Sequence, residues 1–224
     1  MKGQTMVSKQ GVQLCSSLAL TADFEAVDSE VLKKLNNDPK GTAQKFTVWL
    51  KNGGNLVLPG QRIIKIDRAR TFDPAKFIGS GSTIWRGPAN GTGLKGEEDQ
   101  DQRALALTEI NLNAVTFDNC LEEGENVVKG EVKLTRLKAK PVIRLDAAVF
   151  QTLWENKVLI PESWKEKVNG NTRFIYFDGT ILRNPNGDRF VLYLYFEDGE
   201  WDWHYCWLGF DWFSYNPSAV LASN

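Results

Sequence analysis

The residues most able to do chemistry stand close together near the end of the chain, in GEWDWHYCWLGFDWFSYNPSAVLASN at residues 199–224. This segment holds the only histidine, His204, and one of the three cysteines, Cys206. Five carboxylates stand beside or among its aromatic rings: Glu197, Asp198, Glu200, Asp202 and Asp211. Paired carboxylates next to rings are typical of glycosidase clefts, yet carboxylates near hairpin turns more often serve the turn. Because no nucleophile elbow accompanies His204, the pattern favours a protein that is not an enzyme.

Two other segments are weaker candidates. The acidic loop Glu97, Glu98, Asp99 and Asp101 lacks the alternating oxygen ligands and closing glutamate of a calcium loop, so we expect a solvated loop. The glycine-rich stretch 79–93, GSGSTIWRGPANGTG, has no Lys-Ser/Thr pair after its glycines and does not match a phosphate loop. Cysteines at 15, 120 and 206 are too far apart to indicate a disulfide framework or a metal site. We therefore expect no metal and no cofactor.

Composition excludes several classes of protein. The 224 residues carry a formal net charge of −1, which does not favour binding to nucleic acid. No apolar run approaches the roughly 20 residues of a membrane span, and the N-terminus lacks the sustained apolar region of a secretory signal. We therefore expect a soluble, cytoplasmic protein with reduced thiols.

Helical patterns occur in the first two thirds of the chain. Residues 28–41, DSEVLKKLNNDPKG, predict a helix capped by Asp28 and stopped at Asp38-Pro39. Helices are also expected within TAQKFTVWLKNGG, KGEVKLTRLKAK and IPESWKEK. The clearest is RLDAAVFQTLWEN, residues 144–156, where Asp146 caps an apolar stripe.

Strand patterns dominate the rest of the chain. QRIIKID, STIWRG and RALALTEI are β-like, and FVLYLYF at 190–196 is apolar enough to be buried on both faces. Three turn dipeptides, Asp178-Gly179, Asn186-Gly187 and Asp198-Gly199, separate apolar runs and predict hairpins. We expect an α+β protein, with a flexible lead-in at residues 1–20 and one domain over residues 21–224.

The segment 201–208 predicts a strand with two different faces. Side chains alternate along a strand, so Trp201, Trp203, Tyr205 and Trp207 share one face and Asp202, His204 and Cys206 share the other. The aromatic face is expected in the core. The mixed face is either a solvated surface or, with the loop after it, a binding surface, since rings and short polar groups together suit recognition.

Most of the chain beyond about residue 28 resembles the variable proteins of diversity-generating retroelements, of the type found in small-genome uncultivated bacteria. The resemblance lies in residues 48–110 and 143–223. In such systems a reverse transcriptase copies a template with errors at adenines, and the copy replaces the 3′ end of the target gene. The resemblance implies a C-type-lectin-like fold with a variable region at about 190–216.

The resemblance also sorts the tail into two sets. The fixed frame would be Trp201, Trp203, Tyr205, Trp207, Leu208 and Pro217–Ser223. Asp211 and Trp212 fit either set, and Trp212 is counted here with the scaffold. The variable, ligand-binding set would be Asp202, His204, Cys206, Gly209, Phe210, Phe213, Ser214 and Tyr215. The resemblance assigns Ser214 less firmly than the others, and Asn216 would be a further member on the same footing as Ser214. Phe210, Phe213 and Tyr215 would be anchors, because aromatic side chains dominate binding hot spots.

The genetic code gives an independent check. An AAC or AAT codon altered at its adenines yields Asn, Asp, His, Tyr, Ser, Gly, Cys or Phe, but never Trp, Glu, Lys, Gln or Met. Every residue of the variable set is reachable in this way, whereas tryptophan is not. The segment contains no Glu-Pro-Asn motif, so calcium-dependent sugar binding is not implied. The expected partner is a macromolecule, preferably a protein; the alternative is a protein that binds or hydrolyses carbohydrate with its aromatic and acidic surface.

Overall fold

The structure is a computed structural model that describes residues 28–51 and 62–223. The expected lead-in at residues 1–20, and with it Cys15, lies outside the described residues. Contacts divide the chain into two compact units, residues 1–54 and 55–224, which are described separately. No helix among the described residues is long and apolar enough to cross a membrane.

The described part of the first unit consists of two helices. Helix α1 spans Ser29–Asn37, and the backbone N–H of Glu30 donates to the Asp28 carboxylate at 2.8 Å, which is the expected cap. Helix α2 spans Pro39–Lys51. It begins earlier than the sequence pattern indicates, because Pro39 both ends α1 and suits the first position of the next helix.

The second unit mixes short helices with many strands, which confirms the α+β class. Its helices are α3 (Ala75–Ile78), α4 (Gln102–Leu105), α5 (Gly130–Ala139) and α6 (Ala147–Glu155). Single 3-10 turns occur at Leu112–Ala114, Lys157–Leu159 and Glu162–Lys165. Its first six strands are β1 (Ile63–Lys65), β2 (Thr83–Ile84), β3 (Glu109–Asn111), β4 (Thr116–Asp118), β5 (Val127–Lys129) and β6 (Val142–Arg144). The last six are β7 (Ile175–Tyr176), β8 (Leu182–Arg183), β9 (Arg189–Glu197), β10 (Glu200–Trp207), β11 (Asp211–Phe213) and β12 (Ser218–Ala222).

Within residues 62–223, eight strands form the main sheet. Six follow the order β2-β8-β9-β7-β12-β4, while β10 pairs with β9 and β6 pairs with β12. Strands β1 and β3, and strands β5 and β11, form two separate ribbons. The chain end is therefore central to the fold: β12 joins β4, β6 and β7, and its Ser218, Ala219 and Val220 are at most 1% exposed.

Helix α6 supports one face of this sheet, as its sequence predicts. The carboxylate of Asp146 accepts a hydrogen bond from the Val149 N–H at 3.0 Å, which satisfies a free donor at the helix start. The apolar residues Val149, Phe150 and Leu153 are fully buried. They belong to the first core cluster, together with Leu192 and Leu194 of β9.

A second core cluster lies on the other side of β9. It comprises Trp85, Val128, Leu134, Tyr176, Ile181, Val191, Leu208 and Trp212. The two clusters bury both faces of β9 only over Val191, Leu192 and Leu194, each at most 1% exposed. The expectation that the whole run 190–196 is buried on both faces is wrong elsewhere in the run, since Tyr193 and Tyr195 are half-buried.

Two local expectations are wrong. RALALTEI is not one strand: Asp101 caps a helical turn at Gln102–Leu105 with its carboxylate, and strand β3 begins only at Glu109. Asp178-Gly179 is not a hairpin turn, because β7 and β8 both pair with β9 and not with each other. Gly179 serves close packing instead, since a Cβ there would lie 2.3 Å from the Arg144 carbonyl oxygen.

Candidate functional site

The β9–β10 hairpin carries the residues on which the functional hypothesis depends. Asp198 and Gly199 have φ values of 51° and 85°, as a two-residue turn with two positive φ angles requires. This turn fixes the register, which pairs Asp202 with Tyr195, His204 with Tyr193 and Cys206 with Val191. The second predicted hairpin, at Asn186-Gly187, joins β8 to β9, and Gly187 has φ of 94°.

The inner face of β10 packs against the first core cluster. Trp201 is 5% exposed. Trp203 is half-buried, and its ring lies 5.2 Å from that of Phe77 and 5.9 Å from that of Phe150. Tyr205 meets the Phe190 ring edge-on at 5.3 Å. The expected aromatic core face therefore holds from Trp201 to Tyr205.

The outer face of the same strand is open to solvent near the turn. Asp202 and His204 are exposed. The Tyr195 hydroxyl donates to the Asp202 carboxylate at 3.4 Å, and the His204 ring lies 6.1 Å from the Tyr193 ring. Burial raises the pKa of Tyr193 to about 12, with smaller contributions from the negative charges of Cys206, Tyr195 and Asp202. The phenol groups are therefore neutral hydrogen-bonding groups at ordinary pH.

Phe174 connects this outer face to the end of the tail. Its ring lies 5.4 Å from Tyr193, 5.5 Å from Tyr195 and 6.1 Å from Tyr215. Tyr215 in turn stacks on Phe213 at 5.3 Å. We call the resulting continuous surface the outer aromatic face; it consists of Phe174, Tyr193, Tyr195, Asp202, His204, Phe213 and Tyr215.

Sequence reasoning missed three members of this surface. Tyr193 and Tyr195 were recoverable, because the Asp198-Gly199 turn fixes which β9 residues lie opposite Asp202 and His204. Phe174 precedes β7 and reaches the surface only through the tertiary fold, so no local pattern marks it.

Cys206 does not share the exposure of Asp202 and His204. It is half-buried and packs against the second core cluster, because Tyr176 and Trp212 cover this end of the sheet. Burial raises the pKa of the Cys206 thiol, so it is not an activated nucleophile. The expectation of a uniform mixed face over Asp202, His204 and Cys206 is thus corrected at its last position.

Trp207 also departs from expectation. The sequence pattern places it in the buried frame, but it is 39% exposed and meets Phe210, itself 57% exposed, edge-on at 5.3 Å. Trp207 is still paired with Phe190 in β10, but the first core cluster, against which Trp201, Trp203 and Tyr205 pack, does not extend to it. Gly209 lies against this ring: a Cβ there would come within 2.6 Å of it. A side chain at 209 would therefore have to displace Trp207.

The short strand β11 separates a buried from an exposed ring. Trp212 is 1% exposed and stacks on Tyr176 at 4.1 Å, while the fully buried Lys133 ammonium lies 4.5 Å from the Trp212 ring centre. Phe213, the next residue, is 40% exposed. Ser214 and Tyr215 are half-buried, and the Asn216 side chain accepts from the Phe213 N–H at 2.7 Å.

The carboxylates that suggested a glycosidase do not converge. Asp211 pairs with Lys129 at 2.8 Å on β11, Asp198 forms the hairpin turn, and Asp202 bonds the hydroxyl of Tyr195. Glu197 and Glu200 face each other beside the turn, where both are exposed. These carboxylates therefore form the hairpin turn, an ion pair and surface contacts, and they are not arranged as the catalytic acid and base on either side of a glycosidic bond.

The sequence predicts a solvated acidic loop, but the loop is not solvated throughout, because Asp101 is 5% exposed and both Asp99 and Asp101 are paired with cations of the protein. Asp99 pairs with Lys138 at 2.8 Å, and Asp101 accepts hydrogen bonds from Arg103 and from the Arg144 N–H. Burial pushes the pKa of Asp101 up, but these hydrogen bonds outweigh it and the pKa is lowered. Among residues 28–51 and 62–223, no group of three or more His, Cys, Asp or Glu side chains could hold a metal ion.

Comparison of the chain with protein-family models, curated proteins and solved structures found no match in any of the three.

Proposed function

We propose that this protein is a non-enzymatic ligand-binding protein with a C-type-lectin-like fold, whose C-terminal surface is diversified by adenine-directed mutagenesis. The observation that carries the proposal is the alternation in β10. Asp202 and His204 are exposed and are reachable from an AAC or AAT codon, whereas Trp201, a member of the first core cluster, is buried and is not reachable. Diversification requires this separation, since exposed substitutions usually change the unfolding free energy by less than about 0.5 kcal/mol in either direction, whereas core substitutions cost several kcal/mol.

The outer aromatic face supports recognition of a protein. Its rings are rigid, so ordering them on binding costs little conformational entropy. Phe213 and Tyr215 stack almost in parallel, with 8° between their planes, and present one broad apolar surface. Asp202 and His204 add polar groups at its edge. Large rings surrounded by adaptable polar groups form the hot spots of protein interfaces.

Genomic sequencing tests diversification. The proposal predicts a nearby repeat of about the last 30 codons that differs from the gene only where the repeat has adenines, next to a reverse-transcriptase gene. Substitutions between sister cells should fall at codons 202, 204, 206, 209, 210, 213, 214 and 215. Substitutions spread evenly over β10, with no repeat in the flanking DNA, would contradict it.

Peptide selection tests binding. Peptides selected from a random display library on the wild-type chain should bind at least tenfold more weakly to the variant Asp202→Ala/His204→Ala/Phe213→Ala/Tyr215→Ala. The matched control changes two acids and two apolar residues that are exposed elsewhere: Glu109→Ala/Glu123→Ala/Val132→Ala/Val158→Ala. Equal losses in both variants would reject the proposed surface. Selection of glycans from an array, with no peptide selected, would instead favour the carbohydrate alternative.

A further inference from the structure

A separate cavity of about 510 Å³ opens beside the first residues of α6. Its lining residues are drawn from the segments 68–74, 82–86, 93–105 and 146–148 and from Thr180, and none of them belongs to the outer aromatic face. The volume lies within the range of roughly 300–1,000 Å³ that is usual for small-molecule sites. Its function is therefore independent of the function proposed for the tail.

The lining of this cavity is rich in guanidinium groups. Arg68, Arg70 and Arg86 line it together with two carboxylates, Glu98 and Asp146. A third carboxylate, that of Glu155, lies outside the lining and pairs with Arg70 at 2.7 Å, so the site has no net excess of charge. What the cavity offers a ligand is guanidinium N–H donors, which bond an anionic oxygen more strongly than a neutral one.

The three arginines differ in what they can offer. Each of the three nitrogens of Arg68 already bonds within the fold: it donates to the Asp146 carboxylate at 2.6 Å and to the carbonyls of Leu107 and Ala104 at 2.7 Å each. These bonds hold Arg68 in the cavity wall, so it is the least available of the three to a ligand.

Arg70 and Arg86 retain donors. Arg70 donates through Nη1 to Glu155 at 2.7 Å, which leaves the other edge of its planar group unused by that contact. Arg86 Nη2 lies 3.7 Å from Oε1 of Glu98, beyond hydrogen-bond distance, while the other oxygen of Glu98 accepts from Gln100 at 2.6 Å. Both arginine side chains are about half exposed, at 48% and 52%. A guanidinium edge of this kind matches a carboxylate with two parallel hydrogen bonds.

An apolar wall lies beside these donors. Phe72 and Ile84 pack against the first core cluster, and Phe72 stacks on Phe77 at 5.0 Å, so this wall is fixed. Leu94 is 63% exposed, although it lines the cavity. A ligand with an apolar body would remove it from water.

We infer that this cavity binds a small organic monoanion, in which one carboxylate is joined to an apolar body. Arg70 and Arg86 hold the carboxylate, and Phe72, Ile84 and Leu94 contact the body. Inorganic phosphate would satisfy the guanidinium groups but leave the apolar wall in contact with water, so it is a poorer match.

A matched fragment screen on the full chain tests this inference. The set contains apolar bodies that each occur as a carboxylic acid, its primary amide and the corresponding amine, together with inorganic phosphate. Binding is read from amide NMR shifts of residues 70–72 and 84–86. We expect the acids to bind at least tenfold more tightly than their amides, and the amines and phosphate to cause no saturable shift. Absence of saturable shifts with every acid, or equal affinities for acid, amide and amine, would overturn the inference.

Two variants assign the carboxylate to its donors. Arg86→Gln and Arg70→Gln should each weaken the best acid about tenfold and leave its amide unchanged. Lys95→Gln removes an exposed positive charge that does not line the cavity, and it should change binding less than twofold. If acid binding survives both arginine changes, or falls equally in the Lys95 variant, the site is not the one described.

Discussion

The two ends of the β10 outer face differ in what covers them. Near the turn, Asp202 and His204 are exposed beside two tyrosines of β9. At the far end, Cys206 lies beneath the second core cluster. The same alternation of residues therefore gives an open surface at one end and a packed one at the other. What decides between them is the ribbon of β5 and β11, which brings Trp212 over the covered end.

Replacing Trp212, which covers the packed end of the β10 outer face, should cause the largest loss of unfolding free energy. Trp212→Ala removes a ring that is 1% exposed and stacks on Tyr176, so we expect a loss of about 3–5 kcal/mol in unfolding free energy. Its neighbour Phe213 is 40% exposed, and Phe213→Ala should cost about 1 kcal/mol or less. Urea denaturation measures both. Similar losses in the two variants would show that β11 does not separate core from surface.

Replacing the tryptophans at the two ends of the β10 inner face should give the next largest difference in unfolding free energy. Trp201→Ala removes a ring that is 5% exposed, and we expect a loss of about 3 kcal/mol. Trp207→Ala removes one that is 39% exposed and should cost about 1 kcal/mol or less. The same denaturation experiment applies. Equal losses of unfolding free energy in the two variants would show that Trp207 is as buried as Trp201.

The pH dependence of the unfolding free energy tests whether the covered end of the β10 outer face, where Lys133 lies, excludes water. Burial lowers its pKa in the folded protein, and Asp178, Cys120, Asp118 and Cys206 are the charged or titratable groups that oppose this effect. Between the lowered pKa and the ordinary value of 10.5 the unfolded chain binds more protons, so unfolding free energy rises with pH across that window. The rise is at most about 1.4 kcal/mol per pH unit.

Comparison with Lys133→Met isolates this contribution. From pH 7 to pH 10, the stability difference between the two proteins should shift in favour of the wild type. Chemical denaturation at each pH gives the values. A difference that does not change with pH would mean that Lys133 keeps its ordinary pKa and that water reaches the covered end.

Thiol labelling should give a smaller contrast. Cys120 is 3% exposed, and burial raises its pKa to about 12, whereas Cys206 is half-buried. Because the thiolate is the reactive form, we expect iodoacetamide to modify Cys206 roughly ten times faster than Cys120 in the folded protein. Peptide mass spectrometry over time distinguishes the two sites. Faster modification of Cys120 would reverse the order of burial described here.

The sequence predicted the fold best where local rules act alone. Asp146 caps α6, and Asp198-Gly199 closes the central hairpin, because capping and turn chemistry depend on adjacent residues. The helical turn at 102–105 was missed because alternating small and apolar residues suit a strand and a helix equally.

The candidate surface was only partly predictable. Alternation correctly separated Trp201 from Asp202. The burial of Cys206, the exposure of Trp207 and the participation of Phe174 depend on segments distant in sequence, and no period in the tail encodes them.

The proposed function requires that Asp202, His204, Phe213 and Tyr215 of the outer aromatic face can vary while the more buried aromatic residues Trp201, Trp203, Tyr205 and Trp212 cannot. Two libraries test it directly: one randomises codons 202, 204, 213 and 215, and the other randomises codons 201, 203, 205 and 212. Protease resistance of the displayed protein reports folding. We predict that about half of the first library folds and about one in twenty of the second, since core changes cost several kcal/mol. Equal folded fractions in the two libraries would contradict the claim.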